Sequence, residues 1–247
     1  MRAEAAAQLR LLDLQDLDTV LGQLAHRRRK VPQIAELEAI STRSAELRDH
    51  EVAVRTAVSD LEREMGKAEA DVAQVRERIT RDQALLDVGS VASARQLEDL
   101  QREIENLARR VSALEDAELE VMEKLEDAQT RATAAAADVA ELAEAQVTAE
   151  RARDAAFADI DAEVARVQGE RDRVVAEIPD DLLALYDRIR ESSGGVGAAP
   201  LHRARCQGCQ LTLTPADLGR IRAEPADEVV RCEECRRILV RTDESGL

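Results

Sequence analysis

Cys206-Gln207-Gly208-Cys209 and, after 22 intervening residues, Cys232-Glu233-Glu234-Cys235 contain all four cysteines of this 247-residue chain. Two residues between paired cysteines let both sulfurs point inward from one tight turn and occupy adjacent corners of a tetrahedron. Two such turns complete a four-thiolate site, the closed coordination typical of structural Zn²⁺. Iron is the competing metal, and a pair of disulfides is the metal-free alternative. The spacing favours zinc, with Cys206, Cys209, Cys232 and Cys235 as its ligands.

The rest of the chain has the composition of a fibrous protein. Charged residues make up 35% of the chain and aromatic residues 1%, and the apolar residues are largely Ala, Leu and Val. Such a chain cannot pack a broad aromatic core, but it can join helices along a narrow seam. The net charge of −16 falls on residues 1–197, because residues 198–247 hold eight arginines and eight acids. That acidity disfavours indiscriminate nucleic-acid binding by the helical part.

The compartment is predicted from what the sequence lacks and from its cysteines. The first residues show no basic segment followed by an apolar one, as a secretory signal would. No uncharged apolar run approaches the roughly 20 residues that span a bilayer. Reduced, metal-binding cysteines fit the cytoplasm. We therefore expect a cytoplasmic protein without a membrane segment.

Two long stretches repeat apolar residues at alternating steps of three and four, the period of a left-handed coiled coil. The first seam runs from Ile40 to Leu86 and the second from Leu97 to Leu142. Asp87-Val88-Gly89-Ser90 reads as a turn between them, and Ser90 or Ser93 can cap the second helix. Because the seams match in length, we predict an intramolecular antiparallel hairpin roughly 80 Å long. A parallel dimer is the alternative.

Helices before and after the hairpin are predicted to form its base. An opening helix over 5–29 carries a leucine-rich stripe and ends in basic residues, and Pro32 begins the next helix. Beyond residue 143 the returning helix is expected to change partner, so that Ile160, Val164, Val167, Val174 and Val175 pack on leucines 9–24. Pro179 begins a short helix. Residues 192–197 then read as a Ser/Gly linker.

The cysteine module is predicted to be β-rich. We expect strands at 196–204 and 211–213, a helical turn at 215–222, and a returning strand at 238–240. Apolar residues are too few to hold this module together, so the metal must supply much of its folding free energy. The predicted fold is mainly α, a long antiparallel coiled-coil hairpin with a helical base and a small C-terminal β-rich C4 zinc ribbon. The hairpin domain would cover 1–191 (arm 33–142, base 1–31 and 143–191), and linker and ribbon 192–247.

The whole chain resembles the bacterial C4-type zinc-ribbon proteins with an N-terminal coiled-coil hairpin. The matching segments are Leu14-Gln15-Asp16-Leu17-Asp18, His26-Arg27-Arg28 with Pro32, Leu97 to Ile104, Pro179 to Tyr186, and the closing Cys232-Glu233-Glu234-Cys235-Arg236-Arg237-Ile238-Leu239. Arg236 stands where the family usually has glycine, which bears on the backbone turn after Cys235. The resemblance implies four zinc-binding cysteines, an adaptor that contacts nucleic acid or other proteins, and no enzymatic activity.

Arginines flank both cysteine pairs, and guanidinium groups suit phosphate and carboxylate partners. The predicted partner-binding set is Arg203, Arg205, Arg231, Arg236, Arg237 and Arg241, joined by Arg27, Arg28 and Arg29 of the basic run. A solvated, charge-balanced surface is the alternative for the first six. Compensation of the helix dipole is the alternative for the basic run. His202 is a weaker candidate ligand, since four cysteines already close the site.

The function predicted from these features is binding rather than catalysis. We find no paired carboxylates and no nucleophile with a neighbouring base, and a closed four-thiolate site has no open coordination position for hydrolysis. The leading hypothesis is a zinc-ribbon adaptor for protein partners, with no membrane and no small-molecule substrate. The alternative is an RNA- or DNA-binding regulator in which ribbon and basic run bind phosphates.

Overall fold

The structure is a computed structural model that describes residues 1–89 and 93–247. Its elements in chain order are α1 (Ala5–Arg29), α2 (Pro32–Asp87), α3 (Ala94–Val175), α4 (Asp180–Ser192), β1 (Ala198–His202), β2 (Arg205–Cys206), α5 (Pro215–Ala223) and β3 (Ile238–Val240). The mainly helical class with a small C-terminal sheet is therefore confirmed. The chain forms two compact units, one of Met1–Ile34 with Arg151–Leu247 and one of Ala35–Glu150.

The unit Ala35–Glu150 contains most of α2 and the first two thirds of α3, packed along the predicted seam. Every seam position from Ile40 to Leu86 is buried or half-buried, and so is every one from Leu100 to Leu142. Leu97 is 40% exposed, so the second seam begins one position later than its sequence pattern indicates. Burial along a 3–4 repeat is what a coiled coil requires.

Cross-helix ion pairs show that α2 and α3 run antiparallel. The Arg78 guanidinium lies 2.9 Å from a Glu103 carboxylate oxygen, and Arg76 pairs with Glu115. The partner's number on α3 rises as the number on α2 falls. The hairpin is therefore intramolecular. Across the two described stretches, no helix is both long enough and apolar enough to cross a membrane.

The described residues of the turn between the seams have the conformation and the helix cap that the sequence predicts. Helix α2 ends at Asp87, and Gly89 has φ +64°, a left-handed conformation that glycine adopts without strain. Ser93 Oγ accepts a hydrogen bond from the Gln96 amide at 3.3 Å, so Ser93 caps α3. The other predicted cap, Ser90, lies outside the described residues.

The unit that contains both chain ends has the predicted helical base. Ile160 and Val167 of α3 pack with Leu24 and Val31 in one buried cluster, and Val164 lies at its edge. Val174 and Val175 pack against a second cluster built on Leu11 and Leu14. The packing of α3 on α1 is therefore confirmed. Leu9 is 45% exposed, so the buried stripe of α1 is narrower than the leucine pattern suggests.

The ribbon contains a three-stranded sheet in the order β2-β1-β3. Strand β1 is antiparallel to β2, with Leu201 opposite Cys206, and parallel to β3, with Ala198 opposite Ile238. The strand expected at 211–213 is reduced to a single bridge between Thr212 and Arg205. The first cysteine turn occupies Cys206 to Gln210, which leaves too few residues for a longer pairing.

Ribbon strands and base helices share one core within this unit. Ala198, Ile238 and Val240 are buried with Leu11, Leu14, Leu182 and Tyr186. Gly197 lies so close to α4 that an added Cβ would approach the Tyr186 carbonyl oxygen to 2.7 Å. The segment before β1 is thus packed against α4. The domain boundary at residue 191 stays a prediction.

Candidate metal centre

The four cysteine side chains converge on one point of the ribbon. Their sulfur atoms all lie within 4.8 Å of one another, and Cys206 and Cys232 are buried while Cys209 and Cys235 are half-buried. The sulfurs of Cys206 and Cys235 are 3.9 Å apart, and so are those of Cys209 and Cys232. A disulfide bond would bring two sulfurs to about 2.05 Å. The four thiols are free, and this donor set fits a tetrahedral metal.

The two cysteine pairs sit in turns with the same backbone hydrogen bonds. In the first, the Gln210 amide donates to the Cys206 carbonyl at 2.8 Å and the Cys206 amide to the Leu211 carbonyl at 3.0 Å. In the second, Arg236 donates to Cys232 at 2.9 Å and Cys232 to Arg237 at 3.0 Å. We call these turns, 206–210 and 232–236, the first and second knuckle.

The arginine that precedes each knuckle also plays the same part in both. Arg205 Nε donates to the Gln210 carbonyl, and Arg231 Nε donates to the Arg236 carbonyl at 2.8 Å. Each bond joins the start of a knuckle to its end. Within residues 1–89 and 93–247 each guanidinium is hydrogen-bonded through Nε alone, which leaves its terminal nitrogens available on an exposed side chain.

Each knuckle ends in a residue with left-handed backbone. Gln210 has φ +64° and Arg236 has φ +63°. The turn after Cys235 is therefore kept although arginine replaces the usual glycine. A side chain in this region costs about 1–2 kcal/mol, which glycine avoids.

Arg236→Gly is expected to stabilise the zinc-loaded ribbon by about 0.5 kcal/mol. The relief of left-handed strain exceeds the roughly 0.4–1 kcal/mol that glycine's extra freedom in the unfolded chain takes away. Urea unfolding of the zinc-loaded protein measures the change. Arg231→Gly should instead lower stability, since Arg231 has no positive φ and its Nε hydrogen bond to the Arg236 carbonyl would be lost. A lower stability of Arg236→Gly itself would contradict the strain argument.

Burial opposes the thiolate form at two of the four cysteines. Burial raises the pKa of the Cys206 thiol to about 12, and burial also raises the pKa of Cys232. At Cys235 burial acts in the same direction, but hydrogen bonds, first that of the Arg237 backbone, bring the pKa below its ordinary value. A thiolate at Cys206 at neutral pH therefore needs a metal ion beside it.

Two of the arginines predicted to bind partners are used inside the ribbon. Arg237 donates to the carbonyls of Val196, Gly208 and Ser193 at 2.8–3.0 Å. Arg241 donates to the Ile221 carbonyl in the last turn of α5 and to carbonyls of the loop that follows, at Glu224, Pro225, Ala226 and Glu228. Both side chains are half-buried. Both side chains therefore connect backbone segments of the ribbon, whereas the sequence predicted that they would face a partner.

The other ribbon arginines are exposed. Arg203, Arg205, Arg231 and Arg236 all lie on the surface, and Arg236 is 3.5 Å from a Glu233 carboxylate oxygen. Among the residues that the structure describes, Arg203, Arg205 and Arg231 have no acidic partner within ion-pair distance. His202 Nδ1 lies 3.0 Å from Glu244, and the four-residue cluster contains cysteines only.

The basic run at the end of α1 is engaged with α3. Arg28 lies 3.0 Å from Asp161 and its guanidinium stacks 4.2 Å from the Phe157 ring centre. Arg27 lies 3.6 Å from Glu163. Arg29 is exposed.

The same unit contains a buried polar cluster that was not predicted from the sequence. Asp18 accepts a hydrogen bond from Tyr186 at 2.7 Å and pairs with Arg171 at 2.7 Å and with Arg190 at 3.1 Å. Gln15 Oε1 accepts from the Gly197 amide at 2.7 Å. The sequence does contain a sign of this cluster, since Gln15 and Asp18 lie among the leucines of the buried side of α1. A polar group that is buried there needs hydrogen-bond partners.

Comparisons with known proteins agree with this architecture. The chain matches the CT398-like coiled coil hairpin domain over residues 14–194 and the C4-type zinc ribbon domain over 205–239. A Mycobacterium tuberculosis protein is 37% identical over 243 residues, 98% of each chain. A Mycobacterium smegmatis structure is similar with a TM-score of 0.85 and 35% identity, covering 98% of this chain and 100% of the other.

A more distant structure shows the fold alone. CT398 from Chlamydia trachomatis has a TM-score of 0.68 at 18% identity, over 96% of this chain and 98% of the other. The zinc-ribbon match and the four clustered sulfurs together identify structural Zn²⁺ as the cofactor. This chain belongs to the family of proteins that combine a CT398-like coiled-coil hairpin with a C4-type zinc ribbon.

Proposed function

We propose that the chain is a non-enzymatic adaptor whose ribbon binds an acidic surface of a partner protein. Cys206, Cys209, Cys232 and Cys235 are the zinc ligands in this proposal, and the metal holds the ribbon in shape. A site closed by four sulfurs has no open position for a substrate or an activated water. Free cysteines of this kind persist in the reducing cytoplasm, where we place the protein.

One observation carries the proposal. Arg205 and Arg231 are each fixed at Nε by a carbonyl at the far end of their knuckle, while their terminal nitrogens are exposed. A guanidinium oriented in this way loses less side-chain entropy when it binds a carboxylate. Arg203 and Arg236 add two further exposed guanidiniums to the ribbon.

The remaining predicted arginines contribute less to this surface. The guanidiniums of Arg237 and Arg241 donate to backbone carbonyls, so the loss of either would lower the stability of the ribbon before it affected binding. Arg27 and Arg28 are paired with acids of α3, which supports charge compensation within the helical base. The proposed surface is therefore Arg203, Arg205, Arg231 and Arg236, which we call the ribbon arginines.

Nucleic acid is the second candidate partner, since guanidiniums bind phosphates equally well. Single-stranded nucleic acid usually also needs exposed aromatic rings on which bases stack. Tyr186 is fully buried, and Phe157 lies beneath Arg28. These are the only two aromatic residues of the chain. Because neither ring is presented for stacking with a base, a protein partner is favoured.

Affinity capture from a lysate of the native host, run with and without nuclease treatment, distinguishes the two. The bait is the zinc-loaded full-length protein, and the test variant is Arg203→Gly with Arg236→Gly. Both positions have positive φ, at +48° and +63°, so glycine removes the guanidiniums without straining the backbone. Arg222→Ala, which removes one exposed arginine from α5, controls for the loss of surface charge at a ribbon position outside the proposed surface.

We expect wild type and the control to capture a protein whose recovery is unaffected by nuclease. The double variant should recover about tenfold less of that protein, or even less, since two charge-assisted contacts disappear. Recovery of RNA alone would overturn the proposal, as would equal capture by the double variant. Binding to RNA would also weaken steeply with salt.

A further inference from the structure

Helix α3 leaves two large apolar side chains exposed side by side. Leu119 is 53% exposed and Met122 is 37% exposed, and residues three apart lie on the same face of a helix. Neither belongs to the seam, whose neighbouring positions are Glu118 and the buried Val121. We call these two residues and the acids around them the Leu119–Met122 patch.

The patch lies in the most acidic part of α3. Residues 111–127 contain seven acids and one lysine. Glu115 is paired with Arg76, and Asp127 lies 3.1 Å from Arg131. Within the described ranges the other five form no ion pair. They are Asp116, Glu118, Glu120, Glu123 and Glu126. The apolar side chains are thus surrounded by uncompensated negative charge.

Glu118 adds an independent sign of a missing cation. It occupies a seam position, where the repeat calls for an apolar residue, and it is half-buried between Leu114 and Val121. Among the described residues this carboxylate has no ion-pair partner, so a basic side chain brought to this place by another molecule would find it free to pair.

We propose that the Leu119–Met122 patch binds a basic amphipathic helix of a partner protein. Such a helix presents apolar side chains at spacings of three and four, which match Leu119 and Met122, and flanking lysines or arginines, which match the acids. Burial of both apolar side chains supplies affinity, and charge complementarity supplies orientation and association rate. The proposal does not depend on the ribbon arginines.

A second copy of this chain fits the patch poorly. Residues 111–150 hold eleven acids against Lys124 and Arg131, so two such faces would repel each other. The same charge opposes nucleic acid. A basic helix is the occupant that the charges favour.

The test uses the zinc-loaded full-length protein and a fluorescein-labelled helical peptide with leucines on one face and lysines on its flanks. A second peptide has the same composition in scrambled order. Fluorescence anisotropy should show tighter binding of the amphipathic peptide. L119Q with M122Q should weaken it about tenfold or more, because the anchoring area is lost while glutamine keeps the helix. D116N with E123Q should weaken it less and flatten its salt dependence.

V52Q is the matched control, since Val52 is an apolar residue 63% exposed on α2 outside the patch, and it should bind like wild type. Equal binding of the scrambled peptide would overturn the proposal, because charge alone would then explain the attraction. Unchanged binding by L119Q with M122Q would also overturn it. Sedimentation that showed self-association lost in this double variant would assign the patch to a second copy instead.

Discussion

Chelation of zinc, or Cys206→Ser, is expected to unfold the ribbon while α2 and α3 stay helical between Ala35 and Glu150. Structural zinc sites of this type contribute on the order of 10 kcal/mol or more to folding at neutral pH. The sheet it supports has strands of five, two and three residues, too small to be stable alone. The helix pair has its own seam and no cysteine.

Loss of zinc is also expected to affect the helical base, because the ribbon and the base share a core. Ala198, Ile238 and Val240 of the ribbon are buried in the same core as Leu11 and Tyr186. Loss of zinc should therefore loosen the packing around Tyr186, the only tyrosine in a chain without tryptophan. Tyrosine near-UV circular dichroism should fall, while most of the far-UV helical signal persists.

The controls separate the metal from its neighbours. Addition of zinc to the chelated wild type should restore the tyrosine signal, but not that of Cys206→Ser. Glu234→Ser changes an exposed residue between the cysteines of the second knuckle and should behave like wild type. If chelation left both signals and the protease resistance of residues 198–240 unchanged, zinc would not be holding the ribbon.

The parts of the fold that follow from local pattern could be predicted from the sequence. The coiled-coil seam depends on a repeat of apolar residues that can be recognised without knowing where the helix lies, and every seam position from Leu100 to Leu142 is buried or half-buried. The two Cys-x-x-Cys turns are equally local. Pro179 and the acids after it placed α4 within one residue.

Side-chain direction in the ribbon could not be predicted in the same way. Arg236 and Arg237 are adjacent and chemically identical, yet the first is exposed and the second donates to three carbonyls. The difference depends on where Ser193, Val196 and Gly208 lie, which are 29 to 44 positions away in the sequence. Gln15 and Asp18 were missed for the same reason, since their partners on α3, α4 and the segment before β1 are distant in the chain.

Asp18→Asn is expected to destabilise the unit that contains both chain ends by about 3–5 kcal/mol, the usual cost of breaking a buried ion pair from one side. The Asp18 side chain is 1% exposed and is the common partner of Arg171 and Arg190, which are 19% and 33% exposed. Asparagine keeps the size but removes the charge. Two poorly solvated guanidiniums would then face a neutral amide.

Tyr186 makes the same cluster sensitive to a second substitution. Burial, and then its hydrogen bond to Asp18, raise the pKa of Tyr186 above its ordinary value, so its hydroxyl stays a donor. Tyr186→Phe removes one of three contacts to Asp18 and leaves both arginines paired. Its cost should be about 1–2 kcal/mol, smaller than that of Asp18→Asn.

Urea unfolding followed by far-UV circular dichroism measures both variants, with tyrosine fluorescence as a second probe for Asp18→Asn. Asp16→Asn is the matched control, because Asp16 lies two residues away on α1 but is exposed, and its effect should stay within about 0.5 kcal/mol. Added salt should not reproduce the loss, since a buried pair is screened far less than a surface pair. A change below about 1 kcal/mol for Asp18→Asn would mean that the apolar core around Leu11 and Leu14, and not the ion pairs, joins α1 to α4 and the ribbon.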